Sequence, residues 1–308
     1  MQMKTKVAVV VGPTAVGKTA LGIQLAQALS GEIINGDASQ VYRDLNIGTA
    51  KVTKEEAALI PHHLIDIVPP EAPFTVADYQ QKARQEIQAI TDRGKLPIIV
   101  GGTGLYIKAA LYDYRFDDQG EDPELREALS EWAKREGHEV LYRKLLDLDP
   151  KAAEKIHPNN VKRVIRALEK AMSGKGGGHA PSAGPVPLYE TAVVGLTMDR
   201  TDLYNRINRR VDEMIDKGLI QEAKDLYDRG LSGCQSVQSI GYKELFRYFD
   251  GELTLPEAIS LIKRNTRRFA KRQMTWFRHQ MPVTWFDASE AKINFSKILD
   301  FIAGKLTL

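Results

Sequence analysis

Eight consecutive residues carry the clearest chemistry in this chain: Gly12, Pro13, Thr14, Ala15, Val16, Gly17, Lys18 and Thr19. Their types and spacing match a phosphate-binding P-loop. The glycines let backbone N–H groups close around a chain of phosphates, and the N-terminus of a following helix adds favourable partial charge. Lys18 supplies a mobile cation, and Thr19 a hydroxyl that can meet Mg²⁺. The motif speaks for phosphate binding, ATP and other nucleotides included, and is silent about the reaction.

An ordinary ATPase also needs a second apolar strand ending in a carboxylate, which holds Mg²⁺ and a water. The candidate strand here, residues 96–100, runs instead into Gly101, Gly102, Thr103 and Gly104. The carboxylate that does follow an early strand is Asp37, in Gly36-Asp37-Ala38-Ser39-Gln40. Three roles are open to it: Mg²⁺ ligand, general base, or cap of a turn. Strand ends in open parallel sheets point into the ligand crevice, which favours the chemical roles.

These groups need elements to hold them. Residues 7–11 are β-branched or small and wholly apolar, as in a parallel strand buried on both faces. Helical spacing follows over 20–29, a short strand at 33–34, a helix over 75–93 with Thr75 and Asp78 at its start, and the strand at 96–100. Strands alternating with helices predict an α/β fold, a P-loop-type parallel sheet with flanking helices. From Asp113 the pattern changes: helices are predicted at 124–135, 138–146 and 159–172, and then comes a stretch at 173–185 rich in Gly and Pro. A strand pattern returns at 191–196. The chain therefore reads as a core, 1–112 with 189–308, carrying a helical insertion at 113–188. The remainder is helical, at 203–216, 220–229, 242–249 and 256–279.

Composition narrows the classes. The 308 residues are 43% hydrophobic, enough for a real core. No apolar run approaches the roughly 20 residues of a membrane span, so no membrane association is expected, and the N-terminus does not read as a signal peptide. One cysteine, Cys234, leaves no disulfide framework and no cysteine-rich zinc site, and suits a reduced cytoplasmic protein. The net charge of +3 is a cancellation: residues 113–131 hold eight acidic and two basic residues, while 263–278 hold seven Lys/Arg and no acid. The acidic stretch is not expected against phosphates; the basic one suits a polyanion better than solubility alone. Lys162, Arg163 and Arg166 fall largely off the apolar face of their helix, either as a solvated face or as a phosphate-contacting wall. Adjacent His62 and His63 fit core packing better than metal ligation. Trp276, Phe277, Trp285 and Phe286 fit packing better than base stacking.

An ordered set of stretches resembles one family, the bacterial tRNA dimethylallyltransferases, which are adenosine prenyltransferases. Besides the P-loop these are 37–43, 47–51 (Ile47-Gly48-Thr49-Ala50-Lys51), 61–66, 100–106, 160–169, 240–243 and 270–276. The resemblance implies transfer of a dimethylallyl group from dimethylallyl diphosphate to N6 of the adenosine 3′ of the anticodon. The loop 12–19 would then hold a diphosphate leaving group, which accounts for the missing ATPase carboxylate. By resemblance Asp37 is the base, Thr14 and Arg206 meet the leaving oxygen, and Thr19 meets Mg²⁺, with Arg209 and Arg210 close beside Arg206. Thr103 would lie near the target base. Contacts to the tRNA anticodon stem-loop carry over to Asp37, Ala38, Ser39 and Gln40, to Arg126, and to Lys162, Arg163, Val164, Ile165 and Arg166. Gln238, Ser239, Ile240, Gly241, Tyr242 and Lys243 complete that set, and the enzyme is expected to be a cytoplasmic monomer. The Gly-rich stretch at 174–187 departs from the family. A P-loop kinase of a small metabolite, which would consume ATP without nucleic acid, and an RNA-binding NTPase switch are the competing classes.

Overall fold

The structure, a computed structural model, describes residues 4–114, 116, 122–172, 186–289 and 295–308. The chain forms two compact units, one of Met1–Tyr114 with Val186–Leu308 and one of Arg115–Pro185.

In the first unit, β1 (Lys6–Val11), α1 (Lys18–Ala28) and β2 (Gly31–Asn35) lead to α2 (Lys54–Leu59) and β3 (His62–His63). Next come α3 (Val76–Asp92), β4 (Leu96–Gly101) and α4 (Gly104–Leu111). Val7 to Val11 are all fully buried, as a central strand covered on both faces requires. Thr75 caps α3 by accepting from the Asp78 N–H, and the Asp78 carboxylate accepts from the Thr75 N–H at 2.8 Å. That reciprocal pair starts the helix where the sequence places it.

The second unit holds α5 (Pro123–Glu136), α6 (His138–Leu148), the single turn α7 (Pro150–Ala153) and α8 (Val161–Lys170). Leu129, Leu141, Leu145, Ala153, Val164 and Leu168 form its own core. The Gly- and Pro-rich stretch 173–185 lies outside the described residues, as do 117–121 of the acidic run.

The first unit resumes with β5 (Glu190–Thr197), α9 (Arg200–Asp216), α10 (Leu219–Asp228) and α11 (Tyr242–Phe249). It ends with α12 (Leu255–Gln280), β6 (Thr284–Asp287) and α13 (Phe295–Leu306). The six strands make one sheet in the order β3-β2-β4-β1-β5-β6, and every pair is parallel. The α/β, P-loop-type sheet anticipated from the strand–helix alternation is therefore present. Its register decides where the site lies. Val11 stands opposite Gly101 and Asn35 opposite Val100, so the loops after β1, β2 and β4 leave the sheet at one level. Six elements escape the sequence patterns. β3 is two residues long and α7 a single turn, α4 is too uniformly apolar to show a period, α2 and β6 have no fully buried residue to mark a face, and α13 lies beyond the last predicted helix. Among the described residues no helix is long and apolar enough to cross a membrane.

Candidate active site

Above the C-terminal ends of β1, β2 and β4 lies a cavity of about 950 Å³, lined by the P-loop, Asp37, segment 46–54 and α9. The loop after β1 turns through left-handed residues at Ala15 (φ 66°) and Gly17 (φ 105°), which point successive N–H groups inward as an anion-binding nest. Lys18 and Thr19 open α1 and line the cavity, whereas Pro13 and the Val16 side chain are buried. Thr14, Ala15 and Gly17 also line it. The Lys18 ammonium donates to Pro13 O at 2.8 Å. Enclosure lowers its pKa from 10.5 to about 8; the Asp37 charge opposes that shift and Arg210 adds to it.

Asp37 is held by its neighbours. Its N–H donates to Asn35 Oδ1 (2.9 Å), and its Oδ1 accepts from the Ser39 N–H (2.9 Å) in a tight turn. Asn35, only 3% exposed, also donates to Asp37 O and Leu64 O, fixing the whole turn from below. Asp37 has no ion-pair partner within 4 Å among the described residues, yet its field reaches Lys18 and Arg210. Thr103 Oγ1 accepts from the Ala38 N–H at 3.0 Å, so the loops after β2 and β4 are stitched beside the carboxylate.

The wall formed by 46–51 is locked from α10. Glu222 accepts from the backbone N–H groups of Asn46, Ile47 and Gly48 at 2.9–3.0 Å, and from the Tyr242 hydroxyl at 2.6 Å. Lys51 is turned into structure, donating to Tyr42 O, Asn46 Oδ1 and Asp66 Oδ1. Gln40 donates to Thr49 O and Ala50 O, tying the same wall to the Asp37 loop.

Two arginines of α9, one turn apart, face the cavity differently. Arg206 is exposed, lines the cavity and approaches Met198 Sδ at 3.9 Å. Arg210 is more enclosed: burial lowers its pKa while Asp37, Glu213 and Glu56 raise it, so it is the guanidinium coupled to both Lys18 and Asp37. Arg209 is exposed and pairs with Glu213 at 3.6 Å.

Of the residues assigned to RNA by resemblance, the structure brings 37–40 and 238–243 together, with Ser39 Oγ and Ser239 Oγ 2.9 Å apart. Gln238 is exposed and Lys243 is 40% exposed beside Glu244. The Tyr242 side chain is a correction. It is fully buried beneath Glu222, so it braces the wall and offers no ring to RNA. Gly241 is buried too, and Ile240 packs against the core. In the second unit, the Val164 and Ile165 side chains are likewise committed to the core, because the apolar face of α8 must be covered. Lys162 and Arg163 are exposed there. Arg126 and Arg166 converge on Glu169, at 3.0 and 2.7 Å, which offsets part of their charge.

The basic run on α12 divides by face. Lys263 pairs with Asp212 (2.5 Å), and Arg267 donates to Asn208 (2.6 Å). Arg264, Arg268 and Lys271 are exposed with no ion-pair partner among the described residues. Phe277 is buried, and the Trp276 ring meets it edge-on at 5.1 Å, as packing residues do. His62 Nδ1 donates to Ile60 O, and His63 lies between Glu32 (2.7 Å) and Glu86 (3.1 Å) at the far edge of the sheet.

Asn35, Arg210, Glu222 and Gln273 are the cavity-shaping residues that local patterns do not single out. Arg210 alone had a signal, its i+4 spacing from Arg206 on one helix face.

Comparison with known proteins gives a consistent result. A tRNA dimethylallyltransferase of Geobacillus thermodenitrificans is 54% identical, with 99% of each chain covered. The solved full-length tRNA isopentenylpyrophosphate transferase of Bacillus halodurans is 51% identical, with a TM-score of 0.77 over 99% of this chain and 97% of that one. A eukaryotic dimethylallyltransferase, solved acting on tRNA, is 30% identical with a TM-score of 0.82, over 97% of this chain and 80% of that one. The family model described as IPP transferase matches residues 40–280. With that match spanning most of its length, the chain belongs to the IPP transferase family.

Proposed function

We propose that this chain transfers a dimethylallyl group from dimethylallyl diphosphate to N6 of the adenosine at position 37, next to the 3′ side of the anticodon, in tRNAs reading codons that start with U. The products are N6-(dimethylallyl)adenosine and diphosphate. Family membership and the relatives' names support prenylation of tRNA. The small-metabolite kinase alternative has no support among them. The observation that carries the reading is one cavity holding a P-loop with its lysine, an Asp37 without an ion pair among the described residues, and no strand-end carboxylate after β4.

The exocyclic amine is a weak nucleophile, because its lone pair is delocalised into the purine. As the N6–C1 bond forms and the C1–O bond to diphosphate breaks, Asp37 takes the amine proton. The electron pair leaves with the diphosphate oxygen, so cations must stand ready there. Lys18 and the loop N–H groups hold the phosphates, and the Thr14 hydroxyl and Arg206 meet the leaving oxygen. Arg210, coupled to both Lys18 and Asp37, adds fixed charge between donor and base. Thr103 steadies the acceptor side. Thr19, whose hydroxyl lies at the cavity, is the residue that would hold a Mg²⁺ ion arriving with the diphosphate. Its chemistry there would be to offset charge on the diphosphate.

The target base must be unstacked to enter such a cavity. Lys162, Arg163, Arg126 and Arg166, with 37–40 and, of the last segment, Gln238, Ser239 and Lys243, supply phosphate and base contacts. The enzyme is taken to act as a monomer, in the cytoplasm where tRNA is found. Incubation with unmodified tRNA, Mg²⁺ and dimethylallyl diphosphate, then digestion and weighing of nucleosides, tests the reading. Adenosine should gain a five-carbon unit; no gain across several tRNAs reading U-starting codons would refute it.

A further inference from the structure

Gln273 of α12 is only 5% exposed, and its side-chain amide is divided between two loops. Its Oε1 accepts from the Thr14 N–H at 2.9 Å, and its Nε2 donates to Gly102 O at 3.0 Å. The amide has one possible orientation, because a backbone N–H can only donate and a carbonyl can only accept. Residue 102 is built for it: a Cβ there would stand 2.2 Å from Nε2. Through this one side chain the loop after β1 is fixed against the loop after β4.

Resting on the prenyl-transfer reading, we propose that Gln273 is the positioning residue that sets the distance between donor and acceptor. On the donor side it holds Thr14, whose N–H it consumes, so that Thr14 offers its hydroxyl to the leaving oxygen. On the acceptor side it holds Gly102, the residue before Thr103, which in turn holds the Ala38 N–H beside Asp37. Displacement at C1 requires the attacking nitrogen, the carbon and the leaving oxygen in line. A shift of about 1 Å between the loops would therefore cost up to roughly a hundredfold in rate without weakening either substrate's own contacts.

Two substitutions test this in single-turnover transfer with wild type alongside. Gln273→Met keeps length and volume but neither hydrogen bond. It should slow the chemical step by roughly 10–100-fold, with the KM for dimethylallyl diphosphate and tRNA affinity within about threefold of wild type. Gln273→Glu puts a carboxylate oxygen against Gly102 O at neutral pH. Protonation of that buried carboxyl restores the donor, so its rate relative to wild type should climb as pH falls from about 8 to 6, while the ratio for Gln273→Met stays flat. A Gln273→Met chemical rate equal to wild type overturns the proposal, as does a Gln273→Glu deficit that pH does not relieve. If Gln273→Met does not fold, the pH response of Gln273→Glu decides. A wild type that transfers nothing overturns the prenyl-transfer reading and this proposal with it. A wild type that transfers beside a full-rate Gln273→Met overturns this proposal alone.

Discussion

Two glycine-rich loops leave neighbouring strands of the same sheet at the same level, yet they do opposite things. The loop after β1 keeps its polar groups on the cavity side: Lys18, Thr19 and the left-handed turn at Ala15 and Gly17 face open space. The loop after β4 spends its groups inward. Gly102 O is taken by Gln273, Thr103 Oγ1 by the Ala38 N–H, and Gly104 is pressed under the Trp276 ring. Gly17 serves ligand access in the first loop, whereas Gly12 at its start and Gly102 and Gly104 in the second serve close packing. What separates them is how far α12 reaches: it takes one N–H of the first loop, that of Thr14, and packs over the second at Gly102 and Gly104. A binding loop is thus made as much by what stays away from it as by its own sequence.

Substitutions can break that contrast. Lys18→Ala removes the cation of the open loop, and should lower kcat/KM for dimethylallyl diphosphate by about 10²–10³ while the thermal midpoint hardly moves. Gly104→Ala strikes the closed loop, since its Cβ would stand 2.1 Å from the Trp276 ring. Overpacking of that kind should cost about 1–3 kcal/mol in denaturant unfolding. It should leave the donor KM close to wild type. Exchanged phenotypes, with Gly104→Ala sparing stability and Lys18→Ala unfolding the chain, would refute the division.

The pH profile sharpens the first half. Lys18 must be charged to bind diphosphate, and enclosure brings its pKa down to about 8. Because kcat/KM reports ionisations of the free enzyme, it should fall up to about tenfold per pH unit above that value. The alkaline limb should vanish in Lys18→Ala. A limb that survives there belongs to another group.

Much of the donor side is legible because it is local. The P-loop is eight adjacent residues, and the strand before it an unbroken apolar run. The keystone of the acceptor side is not local: Gln273 lies 259 residues from Thr14, so no spacing rule joins them. Tyr242 shows the converse error. Resemblance places it among the RNA contacts, but the fold buries its ring under Glu222. Net charge misleads in the same way. The run at 263–278 looks uniform, but Lys263 and Arg267 are held by Asp212 and Asn208 of α9, which only the packing of the two helices reveals.

That partition gives the smallest predicted effect. Neutralising Arg264, Arg268 and Lys271 together should reduce the slope of log affinity for tRNA against log salt by about 2–3, if all three meet phosphates. Neutralising Lys263 and Arg267 should change the slope less. Equal slopes for wild type and the exposed triple variant would make that face of α12 merely solvated.

The account stands most directly on Asp37. Asp37→Ala should still bind tRNA and dimethylallyl diphosphate, while single-turnover transfer to adenosine falls by about 10²–10⁴. Transfer at the wild-type rate in that variant would contradict its role as the base that frees the amine to attack.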